Sequence, residues 1–180
     1  GMKNIEYRGY DAAGIARAAG SLAVRKTEGR VTDLPVPSRT DVGCGIGHTR
    51  WSTHGEPTEA NAHPHTDCTG EVAVVHNGIV ENYDDLRAEL RDRHVFESET
   101  DTEVIPHLVE DGLAEGVSLL AAVRRATERL EGSYAVAVTA SGHEGIVVAR
   151  QDSPLLVGHA DDATFVGSDA TAFIQHTDRV

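Results

Sequence analysis

His48, Thr49, Arg50 and Trp51, with Thr53 and His54 close behind, form the first of three polar clusters able to do chemistry together. His76-Asn77-Gly78 is the second and Ser98-Glu99-Thr100-Asp101 the third. The planar fork of Arg50 suits a two-point grip on a carboxylate. Any of the 29 acidic residues could also claim it as a surface ion pair. At Asn77-Gly78 a side-chain amide beside a glycine N–H makes two donors for a developing oxyanion. The same dipeptide is also the strongest short hairpin signal, and the residues alone favour the turn. Asp101 at the start of a helix would complement the helix dipole.

Histidines and cysteines raise metal and thiol chemistry. His48, His54, His63, His65 and His76 could supply a zinc site centred on His63-Pro-His65. Their spacing matches no compact ligand pattern, and neither Cys44 nor Cys68 lies in a CxxC pair, so no metal and no cofactor is expected. Cys44 sits in "GCGIGHTR" and invites a nucleophilic reading. It lies six residues before Arg50, about 20 Å along an extended chain, so the spacing makes it a strand-edge residue.

The elements that must position these clusters read as strands, then helices, then strands. "AAGIARA" and "SLAVRKT" flank Gly20 as a hairpin, and "GCGIGHTR" and "EVAVVHNG" are further short strands. "STHGEPTEANAHPHTDCTG" is turn-rich and predicts a long loop, of a length that usually carries function. "ENYDDLRAELRDR" places Leu86 and Leu90 four apart on an amphipathic helix. Thr100 and Glu103 spell a capping box for a second helix, which Pro106 should kink. A third helix, "SLLAAVRRATERLEG", should end at Gly132. "SYAVAVTA", "GIVVAR", "LLVGHA" and "ATFVGS" return to strand. Strands at both ends around central helices predict an α+β layered domain.

Composition narrows the partners. A length of 180 residues suits one domain. A net charge of −13 repels phosphate backbones and anionic lipid, so neither nucleic acid nor membrane is an expected partner. No apolar run approaches a membrane span, and "GMKNIEYRGYD" has no signal-peptide character, which predicts a cytoplasmic protein without a Cys44–Cys68 disulfide. Lys3 and Lys26 are the only lysines; every other cation is arginine. Abundant carboxylate with little lysine fits either a surface hydrated in concentrated salt or a GC-rich coding sequence.

"EYRGYDAAGIA", "GIGHTRWSTHGEPTEANAHPH", "VVHNGIVENYDDLRAEL", "SETDTEVIPHL", "GSYAVAV", "SPLLVGHA" and "SDATAF" run in order along nearly the whole chain. Together they resemble the glutaminase domain of the glucosamine-6-phosphate synthases, the isomerising glutamine–fructose-6-phosphate aminotransferases. These are class II glutamine amidotransferases, whose amidophosphoribosyltransferase branch shares the fold. The resemblance implies a four-layer αββα N-terminal-nucleophile hydrolase fold, with residues 1–180 a partial domain truncated at both ends. It implies hydrolysis of glutamine to glutamate and ammonia, the ammonia passing to fructose 6-phosphate on a second domain. On this chain Arg50 would hold the glutamine α-carboxylate and Asp101 its α-ammonium, with Thr53 and His54 lining that pocket. Asn77 and Gly78 would form the oxyanion hole, reversing the turn reading, and Trp51 would gate the ammonia path.

The family's nucleophile is an N-terminal cysteine in Cys-Gly-Ile whose own α-amine is the base, a group with an ordinary pKa near 7.7–8.0. This chain starts partway into the family's first helix, so it is expected to lack that cysteine and to be inactive alone. An uncovered sheet edge would favour association, for example as a homodimer. The alternatives are a cysteine-less binding or regulatory relative and, further off, an amidophosphoribosyltransferase-type amidotransferase or a zinc hydrolase.

Overall fold

In a computed structural model, residues 1–35, 43–51, 56 and 58–180 are described. The Gly20 hairpin forms as expected: β1 (Ala12–Ala19) pairs antiparallel with β2 (Ser21–Glu28), and Gly20 takes a φ of +83°. β3 (Cys44–Arg50) adds on the other side of β1, with Ala12 opposite Arg50, giving a sheet of order β2-β1-β3.

A second sheet, order β4-β5-β6-β7, contains β4 (His65–Thr66), β5 (Val72–Val80), β6 (Gly132–Ala140) and β7 (Val147–Gln151). The two sheets pack through Ala16 and Ile46 on one side and Ala73 and Val75 on the other. Small residues on these facing strands let the backbones approach closely. On the outer face of the second sheet lie α2 (Tyr83–Leu90), α3 (Val104–Ala114) and α4 (Leu119–Thr127). Their apolar stripes meet Val72, Val74, Val136 and Val138 of β5 and β6 in the main core. The short α1 (Met2–Ile5) packs against β3, where a Cβ on Gly47 would come within 2.4 Å of Met2 Sδ. β8 (Leu156–His159) and β9 (Thr164–Gly167) form a separate hairpin.

Three local expectations are corrected. Thr100 makes no capping hydrogen bond, because Glu103 instead accepts from the backbone N–H groups of Glu97 and Ser98 at 2.7 Å each. The chain opens this helix with a 3-10 turn, Asp101–Glu103, so Pro106 falls in the first α-helical turn and not mid-helix. A proline N–H is not needed there. Finally, α4 stops at Thr127, and Gly132, at φ +109° and crowded by Ile79 O, begins β6 rather than capping a helix. The N-terminus of α4 is conventional, with the Ser118 hydroxyl accepting from Ala121 N at 3.3 Å.

Leu90 is fully buried in the helical core and Leu120, on the outer side of α4, is 66% exposed. Leu90→Ala should cost about 2–5 kcal/mol in urea unfolding, whereas Leu120→Ala should change stability by less than about 0.5 kcal/mol.

Candidate active site

All three sequence clusters border one cavity of about 460 Å³. Its walls include Arg50 and Trp51 at the end of β3, Asn77 and Gly78 on β5, and Asp101 on the 3-10 turn before α3. Thr53 and His54 lie outside the described residues.

Asn77-Gly78 is not a turn. β5 runs straight through it, Asn77 opposite Ala135 and Gly78 opposite Tyr134 on β6. Only glycine fits at position 78: its φ is +129°, and a Cβ would stand 2.0 Å from Ser133 O. The turn reading failed because local dipeptide preference yields to the long pairing with β6. His48 Nε2 lies 2.9 Å from Asn77 Oδ1; an amide oxygen only accepts, so Nε2 carries the proton. With its oxygen taken, Asn77 keeps its NH₂ donors for a ligand.

Arg50 is buried, and Nη1 donates to Glu56 O at 3.1 Å. Burial pulls its pKa down while the charges of Asp11 and Asp101 push it up. Asp101 Oδ2 accepts from Val80 N at 2.8 Å, which fastens the head of α3 to the end of β5. The cavity lining thus includes a cation, a carboxylate and the Asn77-Gly78 pair. Trp51 is 55% exposed at the rim and meets Tyr10 edge-on at 5.6 Å between ring centroids.

His63 and His76 also line the cavity, and with His65 all three are buried. His63 stacks on His48 at 4.3 Å and accepts from His76 N through Nδ1 at 3.3 Å. His65 Nε2 meets Thr100 Oγ1 at 2.9 Å, and His76 Nδ1 meets Thr102 Oγ1 at 2.8 Å. Ser98 Oγ, 3.0 Å from Thr100 Oγ1, donates to Glu103 Oε2 at 2.6 Å. So Ser98 and Thr100 serve as internal hydrogen-bonding groups, and of the third cluster the charged group at the cavity is Asp101. Of the histidines that could supply a zinc site, His54 lies outside the described residues. Cys44 is the first residue of β3, with Sγ 3.1 Å from both Thr139 Oγ1 and Gly145 O.

The supporting roles of His48, Thr102 and Asn61 were not legible in the sequence. Asn61 donates to Glu56 O at 3.1 Å, the same carbonyl that accepts from Arg50, and accepts from Glu99 N at 2.9 Å. Each contact joins segments distant along the chain, and no spacing rule announces it.

The chain matches the glutamine amidotransferase domain family over residues 48–175, and it belongs to that family. Its fold is the class II amidotransferase, N-terminal-nucleophile hydrolase type. It superposes with a TM-score of 0.81 on the glutamine phosphoribosylpyrophosphate amidotransferase of B. subtilis, at 27% identity, covering 96% of this chain and 39% of that one. Among individual relatives, the glutamine–fructose-6-phosphate aminotransferase (isomerising) of Halobacterium salinarum is 73% identical across 100% of this chain and 30% of its own length. The enzymes of the same name from Symbiobacterium thermophilum and Sulfurisphaera tokodaii are 51% and 46% identical over 100% and 99% of the chain, and 30% and 31% of their own lengths. The chain therefore spans about a third of the length of these relatives. Among the described residues, no helix is long and apolar enough to cross a membrane.

Burial holds His63 and His65 well below the ordinary histidine pKa, and nearby cationic groups, His48 and Lys26 foremost, act in the same direction. Burial also lowers His76, against the opposing charge of Asp101. In the unfolded chain each titrates near 6.5, so below that pH the unfolded state binds more protons than the native one. Stability should fall as pH drops from 7 to 5, by up to about 1.4 kcal/mol per pH unit for each histidine kept neutral. Urea midpoints across that range check this; a flat profile would contradict the neutral assignment.

Proposed function

We propose that residues 1–180 belong to the glutaminase domain of an isomerising glutamine–fructose-6-phosphate aminotransferase and that the cavity binds glutamine. The observation that carries the reading is that Arg50, Asp101, Asn77 and Gly78 all line one cavity. An α-amino acid offers a carboxylate and an ammonium on one carbon, and Arg50 and Asp101 are the matching pair. With those ends held, the side-chain carboxamide extends along β5 toward Asn77 and Gly78.

When a nucleophile adds to the carboxamide carbon, the carbonyl oxygen gains negative charge. The Asn77 NH₂ and the Gly78 N–H receive that charge as fixed donors that need no reorganisation. His48 acts on Asn77 by occupying its oxygen, which presents the NH₂ rather than the carbonyl to the oxyanion. Collapse of the adduct releases ammonia, and hydrolysis of the remaining acyl group gives glutamate. Trp51 at the rim guards the exit of ammonia, and Thr53 and His54 complete the amino-acid grip. In the longer relatives the name couples this step to fructose 6-phosphate, and we assign the sugar-phosphate chemistry to the part of them that this chain does not span.

Calorimetric titration with L-glutamate, the product, tests the assignment. Arg50→Ala and Asp101→Asn should each weaken binding about 10- to 100-fold, the loss expected for a hydrogen bond between charged groups. Binding equal to that of the unmodified chain in both variants would overturn the reading.

A further inference from the structure

Away from the glutamine cavity, Cys68, His94, His107 and Glu110 converge at the outer edge of the second sheet. Their ligand atoms all lie within 4.8 Å of one another. Cys68 comes from the β4–β5 connection, His94 from the segment after α2, and His107 and Glu110 from one face of α3 at i and i+3. We propose that these four side chains form a structural binding site for a divalent transition-metal cation, zinc foremost, that ties the β4–β5 connection and the end of α2 to α3.

The distances support tetrahedral coordination. Zinc bonds of about 2.3 Å to sulfur and about 2.0–2.1 Å to nitrogen or oxygen place sulfur and nitrogen about 3.6 Å apart and nitrogen and oxygen about 3.3 Å apart. Cys68 Sγ lies 3.4 Å from His94 Nδ1 and 3.7 Å from His107 Nδ1. Glu110 Oε2 lies 3.1 Å from His94 Nδ1 and 3.4 Å from His107 Nδ1. Four edges of the tetrahedron are therefore already at coordinating length. The donor set, one thiolate, two imidazoles and one carboxylate, is the borderline-soft mixture zinc prefers, and a bound thiolate and carboxylate neutralise its charge.

Proton accounting points the same way. His94 faces a carboxylate with each ring nitrogen: Glu110 Oε2 at Nδ1 and Asp111 Oδ1 at Nε2, 2.9 Å away. A neutral imidazole has only one N–H, so one of these contacts lacks a proton unless the ring is charged. A cation on Nδ1 resolves this, with Nε2–H donating to Asp111 in the carboxylate–histidine–metal arrangement. His107 differs on its far side: its buried Nε2 has no hydrogen-bond partner among the described residues, and its contacts to Cys68 and Glu110 are all made through Nδ1. Cys68 Sγ also accepts from Val95 N at 3.4 Å, which fixes the sulfur's position between the two histidines. On binding, the metal–sulfur bond replaces the S–H bond and the thiol proton leaves to solvent. Cys68 is exposed and Glu110 half-buried, which leaves a path of entry.

The site stands apart from the glutamine reading, since none of its four residues lines that cavity. The chain, stripped of metal with a chelator, is titrated with Zn²⁺ against a chromophoric competitor and, separately, with Co²⁺. One equivalent of Zn²⁺ should bind and raise Tm, and Co²⁺ should show tetrahedral visible bands with a thiolate charge-transfer band. Cys68→Ser should lose the charge-transfer band and the Tm shift, and Asp111→Asn should weaken Zn²⁺ about 10-fold. Failure of the unmodified chain to take up one equivalent, or a Co²⁺ spectrum without thiolate character, would overturn the proposal. So would equal Zn²⁺ affinity in folded Cys68→Ser.

Discussion

The cavity bordered by Arg50, Asn77 and Asp101 rests on buried side chains, most of whose polar atoms find a hydrogen-bond partner inside the protein. His63, His65, His76, Ser98, Thr100, Thr102 and Glu103 are all buried. A single unsatisfied group among them would cost about 1–3 kcal/mol. The arrangement has few alternatives as a result. His65 meets Thr100, Ser98 meets both Thr100 and Glu103, and His76 meets Thr102. These bonds lock the Ser98–Glu103 segment against β4 and β5 before any ligand arrives. Asp101, between Thr100 and Thr102, is thereby aimed without needing a fold of its own.

That rigidity suits the oxyanion role proposed for Asn77 and Gly78. Donors help a transition state only if they already point where charge will develop. Gly78 is held by its pairing to Tyr134 and by the closeness of Ser133 O, and Asn77 by His48. His48 in turn stacks on His63, which joins the amide orientation to the buried histidine bed. Keeping that bed neutral also limits the positive charge packed behind Arg50.

α3 serves both ends of this architecture. The 3-10 turn before it holds Asp101 at the cavity, and His107, six residues on and about 9 Å along a helix, reaches the proposed cation site on the outer side. Burial of Val104, Ile105, Leu108 and Val109 fixes the helix against the second sheet between these points. A tie at Cys68 and His94 would hold the same helix from its outer side.

Periodicity and short motifs carried much of this protein by themselves. The Gly20 hairpin, the Leu86–Leu90 stripe of α2, the layered α+β order and the membership shown by "GIGHTRWSTHG" and "VVHNG" depend on neighbours in sequence, where local preference and spacing act directly. Tertiary structure decided what depends on distant partners. Asn77-Gly78 became strand because nine residues of β5 pair with β6, Glu103 left its capping role for the Glu97–Ser98 backbone, and Pro106 escaped the helix interior through the 3-10 turn. Cys68 and His94 meet His107 and Glu110 only because the β4–β5 connection and the end of α2 fold onto α3. No spacing along the chain encodes such convergence, since each contact depends on how independently formed elements share one core.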